Sequence, residues 1–120
     1  MLNDATGFRK IYIAPGRTDL RKGIDSLAAI VRFSFKLDPY DRNTLFMFCG
    51  RNPTRIKCLL WEGDGWLLLY KRLDVGAFHW PRDGKEALVI SEDQYRMLMQ
   101  GLEVVARRPI TIMDDPPTAM

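Results

Sequence analysis

The stretch RIKCLLWEGDGWLLLYKRL, running from Arg55 to Leu73, constrains the fold more than any other part of the chain. Two strand-like runs flank Gly63, Asp64 and Gly65. Glycine and aspartate between such runs are among the strongest hairpin signals a single sequence carries. A two-residue turn at Asp64 and Gly65 predicts that Gly63 faces Trp66, with Lys57, Leu59 and Trp61 opposite Arg72, Tyr70 and Leu68. That face mixes aromatics with cations. The other carries Ile56, Cys58 and Leu60 opposite Leu73, Lys71 and Leu69, and is mostly apolar, with Leu60 and Leu69 as expected core.

A lone hairpin is marginal in water. The rest of the chain offers it partners. KIYIA ends at Pro15 and Gly16 and reads as a strand; TLFMFCG, bounded by Asn43 and Gly50, reads as a buried central strand; GAFHWP reads as a further short strand stopped by Pro81. From Ile24 onward Leu27, Ala28, Val31 and Phe35 recur at helical spacing, widened by Ile30 and Phe33. This predicts a helix of about three turns ended by Leu37, Asp38 and Pro39. Ser91 followed by Gln94 is a capping-box start for a second helix, with Glu92 and Asp93 in its first turn and Tyr95, Leu98, Met99 and Leu102 on its apolar face.

The expected fold is α+β: a small, mainly antiparallel sheet with a central hairpin and two packed helices. With 120 residues, 47% of them hydrophobic, one domain over residues 1–108 accounts for the chain. Residues 109–120, with Pro109, Pro116 and Pro117, are expected to form a mobile tail.

Charge and motifs narrow the function. The formal net charge of +3 permits nucleic-acid binding without demanding it. Neither a leader sequence nor a membrane-spanning run is apparent, so a cytoplasmic location with no membrane partner is expected. Cys49 and Cys58 then read as buried thiols. His79 is the sole histidine and no nucleophile setting accompanies it. No zinc-ligand spacing and no phosphate-binding glycine loop occur, and Asp19, Asp25, Asp38 and Asp64 show no metal-binding spacing. The expectation is a protein with no catalytic residues, no metal and no cofactor.

The loop APGRTDLRKGIDSL concentrates charge. Asp19 is placed to accept from the backbone of Arg21 or Lys22, Asp25 and Ser26 suit a helix N-terminus, and Gly23 is expected in a conformation other residues resist. These residues would hold the loop and leave Arg17, Arg21 and Lys22 facing outward. Arg51, Arg55, Lys57, Lys71 and Arg72 lie on or beside the hairpin, with Trp61 and Tyr70 interleaved, a pattern that suits phosphate contacts and base stacking. Aromatics covering the core among solvated cations would give the same composition.

In their order and spacing, GRTDLRKGIDSLAAIV, FKLDP, LFMFCGRNPTRIKCLLWEGDGWLLLYKRL and FHWP resemble the TnpB accessory proteins of bacterial insertion sequences of the insertion-sequence-66 class. The RNA-guided nuclease sharing that label is a different protein. The resemblance spans Lys10 to Gly101 and implies a small protein encoded beside the element's transposase and needed for efficient transposition, to which no catalytic activity is assigned. Where the family pattern carries a denser arginine run after Cys49, this chain has GRNPTR. The implied partners are that transposase and element-end DNA. Two other readings stand beside this one: a metal-dependent nuclease or other phosphoryl-transfer enzyme using Asp19 or Asp25, and an adaptor that binds protein only.

Overall fold

Alternating side chains send apolar groups to both faces of the strands, and each face lies under a helix in the computed structural model, which describes Leu2 and residues 5–101. In chain order the elements are β1 (Lys10–Ile13), α1 (Ile24–Ala29), β2 (Thr44–Cys49), β3 (Arg55–Trp61), β4 (Trp66–Arg72), β5 (Leu88–Ile90) and α2 (Glu92–Met99). The sheet order is β4-β3-β2-β1-β5. β1 and β2 run parallel and the other neighbours antiparallel, so the fold is α+β with a mainly antiparallel sheet. Parallel neighbours need a crossover rather than a tight turn. Here α1 lies within that crossover.

The run TLFMFC is the middle strand, buried along its whole length. Leu45 and Met47 point with Ile11 and Ile13 toward Tyr95 and Leu98 of α2. Phe46 and Phe48 point with Ala14 toward Leu27 of α1 and Val31 just beyond it. α2 starts as its sequence predicts: the Gln94 backbone N–H donates to Ser91 Oγ at 3.1 Å and the Ser91 N–H donates to Gln94 Oε1 at 2.8 Å.

Several details differ from expectation. The hairpin forms one edge of the sheet rather than its centre, because β2 finds β1 as its other neighbour. Its loop spans residues 62–65, closed by Glu62 N–H donating to Gly65 O at 2.9 Å, so Trp61 pairs with Trp66 and Lys57 with Tyr70. The register has moved by two residues, which leaves every side chain on its expected face. Leu60 and Leu69 are only half-buried, whereas Leu59, on the face expected to be mixed, is fully buried.

Beyond Ala29 the helix widens into a π-helical turn over Ile30–Ser34, with Phe35 N–H donating to Ile30 O at 3.1 Å. The wider turn leaves Phe33 outside the stripe of Leu27 and Val31, and it is 68% exposed. GAFHWP is not a strand. Phe78 N–H donates to Pro53 O and the Trp80 indole N–H to Ala14 O, each at 2.8 Å, burying both rings in irregular chain. The strand added to β1 is instead the short β5. Gly23 is the N-cap of α1 at φ −96°, extended backbone open to any residue, so the expected special conformation is absent. Leu102 and the expected tail at 109–120 lie outside the described residues. Among the described residues no helix is long and apolar enough to cross a membrane.

Candidate nucleic-acid interface

Because β1 and β2 run parallel, the loops that leave their C-terminal ends open on the same side of the sheet. The first loop follows β2 outward, with Ala14 N–H donating to Met47 O at 2.9 Å and Thr18 N–H to Cys49 O at 2.7 Å. The second turns back into β3 through Gly50 N–H donating to Arg55 O at 3.0 Å. Between the two loops and the adjoining part of β3 and β4 lies a groove of about 1390 Å³. Arg17 and Arg21 reach it from the first loop, Arg51 from the second, Arg55 and Lys57 from β3, and Tyr70 from β4. Leu20 and Leu68, which also pack on the core beneath α1, form its base.

The sequence GRNPTR makes this convergence possible. Asn52 Oδ1 accepts from the Thr54 backbone N–H at 3.2 Å and from its hydroxyl at 3.0 Å, and Arg55 N–H donates to Asn52 O at 3.2 Å. The side chain of Asn52 thus closes a turn. What reads in sequence as an interruption of an arginine run is the bend that brings Arg51 and Arg55 to one groove.

The cations are not equivalent. Asp19 accepts from the Arg21 backbone N–H at 3.0 Å, as expected, and also from the Arg21 guanidinium, through Nε at 3.0 Å and Nη2 at 2.9 Å. The guanidinium and backbone N–H hold the Asp19 carboxyl down at about 2. Arg21 is therefore engaged rather than free, although 92% of its side chain is exposed. The Lys57 ammonium donates to Lys22 O at 3.0 Å and stands 6.0 Å from the centre of the Tyr70 ring. Arg17, Arg51 and Arg55 have side chains with no ion pair or hydrogen bond among the described residues. Among the described residues Asp19 is the one carboxylate lining the groove.

Other expected residues lie elsewhere. Lys22 contributes its carbonyl to Lys57 while its side chain stays outside the groove lining. Arg72 pairs across the strands with Arg55, so two like charges face each other, and it meets Asp74 at 3.8 Å. Trp61 sits at the turn end of the hairpin, in an aromatic cluster with Tyr40 and Trp66 at centroid distances of 5.0 Å. Asp25 occupies the first turn of α1, behind an N-cap, Gly23, that has no side chain to cap with. Leu20, Pro53 and Leu68 were not legible as groove residues, since nothing in an apolar residue's own identity marks it as the base of a cleft.

The thiols offer no chemistry to this surface. Burial pushes Cys49 up to about 11 and Cys58 up to about 12, which keeps both as unreactive thiols at neutral pH. Among the described residues no three His, Cys, Asp or Glu side chains are grouped to hold a metal ion.

A family model described as IS66 Orf2 like protein matches residues 9–109. The uncharacterized protein y4hO of Sinorhizobium fredii is 42% identical over 94 residues, which cover 78% of this chain and 81% of that one. The uncharacterized protein y4jC of the same organism is 32% identical over 112 residues, covering 92% and 94%. No solved structure matches the chain significantly.

Proposed function

The chain belongs to the IS66 Orf2-like family, a transposition-associated accessory family, and from that premise we propose that it works without catalysis of its own, gripping phosphates of element DNA in the basic groove while the transposase holds the same DNA. The observation that carries this reading is the convergence of Arg17, Arg51 and Arg55 with no carboxylate partner among the described residues. Like charges held close repel one another, and an anion laid between them relieves that repulsion. Contacts to phosphate set position rather than sequence, so binding of this kind tolerates many sequences. With a net charge of only +3, the domain alone binds weakly, and the transposase on the same DNA supplies the rest.

Titration of labelled duplex from an element end tests this. Three phosphate contacts predict an affinity loss of about 40-fold between 50 and 200 mM salt, from a slope of about −0.9 per contact. Arg51→Ala/Arg55→Ala should reduce the loss to about three- to fourfold, with folding checked by circular dichroism. Absence of binding to both duplex and single-stranded element-end DNA at low salt, or an unchanged salt slope in the folded double variant, refutes the phosphate grip. Capture of the transposase without DNA would then favour the adaptor reading.

A further inference from the structure

The base of the groove is the wrong surface for a duplex alone. A double helix presents phosphates outward and keeps its bases stacked inside, so the best platform for it is a plain row of cations. Here the cations surround an apolar base, Leu20 and Leu68, and an aromatic ring, Tyr70, that is 54% exposed. That ring is held in place from one strand across: Lys57 is its register partner on β3, its ammonium stands 6.0 Å from the ring centre, and the same ammonium is anchored on Lys22 O. A ring already held loses little freedom when a second ring stacks on it.

We infer that the groove takes an unpaired DNA strand, one base lying against Tyr70 and Leu68 and the flanking phosphates meeting Arg17, Arg51 and Arg55. This rests on the phosphate grip proposed above and deepens it by naming the form of DNA. Aromatic platforms inside a cationic channel are how strands are held without regard to sequence, because every base has a face to stack. Paired bases cannot reach Tyr70. An unpaired strand satisfies both halves of the groove at once, the charged rim and the apolar base.

The test compares three probes at low salt: an oligothymidine strand, the same strand carrying abasic sites, and the duplex. The wild-type protein should bind the strand more tightly than the duplex. Tyr70→Ala should lower strand affinity by about five- to 150-fold, the worth of one stacked base, and lower duplex affinity by clearly less. Tyr70→Phe should restore it. Abasic sites should weaken the wild type but have little further effect on Tyr70→Ala, since the stacking partner is already gone. Equal affinity of the wild type for strand and duplex, or equal sensitivity of wild type and Tyr70→Ala to abasic sites, overturns the inference while leaving the phosphate grip intact. No binding to any probe overturns both. The abasic comparison on the wild type decides the matter even if the Tyr70 variants fail to fold.

Discussion

Replacing Leu59 by Ala isolates the core beneath α1. Leu59 is fully buried, with Phe46 as its partner on β2 and Leu68 on β4, in the cluster that includes Leu27 and Val31. The substitution removes three carbons, and at about 0.8 kcal/mol each the transfer loss is about 2.4 kcal/mol. The cavity left behind adds to this, giving about 3–4 kcal/mol in total, since half-buried Leu68 can close part of the gap. For a small domain that is a large fraction of the whole stability. Leu60, one residue on, points to the opposite face and is only half-buried. Leu60→Ala should therefore cost about 1–2 kcal/mol. Urea titration followed by tryptophan fluorescence measures both, provided the denaturant slope stays the same. A cost for Leu60→Ala that equals or exceeds that for Leu59→Ala would refute the assignment of faces.

Two further perturbations probe the loops. The Asp19 carboxyl is lowered from 3.8 to about 2 by Arg21, so its contact stabilises the loop at pH above 3.8 and fades as pH falls through about 2. Carboxyl NMR should show a midpoint near 2 that returns toward 3.8 in Arg21→Ala, and an unmoved midpoint would contradict the pairing. Gly63 adopts φ +94°, and a Cβ there would stand 2.8 Å from Arg42 Cζ. Gly63→Ala should cost about 1–2 kcal/mol, and adding Arg42→Ala should recover the steric part but not the conformational part, as a double-mutant thermal series would show.

Much of the architecture was legible because it is encoded locally. The Ser91 and Gln94 pair specifies a helix start through bonds three residues apart, and the apolar run of β2 specifies a buried strand by composition alone. The strand runs on either side of Gly63 and Gly65 announce the hairpin, and alternation kept its faces correct even with the loop two residues longer than expected. The resemblance of GRTDLRKGIDSLAAIV and its neighbours to a known family likewise needs only residue order, and the match over residues 9–109 bears it out.

What the tertiary structure decided depends on contacts between distant segments. Leu59 and Leu60 are the same residue type on adjacent positions, and only the placement of α1 over one face makes the first the deeper. β5 is three residues long, too short for its Val-Ile content to mark a strand until β1 presents an edge for it. Arg17 and Arg51 are far apart in sequence and share a groove solely because β1 and β2 lie side by side in the same direction. Sequence shows which side chains carry charge. Which of those charges remain unpaired is set by geometry, because an ion pair depends on a few ångströms of distance: among the described residues Asp19 pairs with Arg21 and leaves Arg17, Arg51 and Arg55 without a partner.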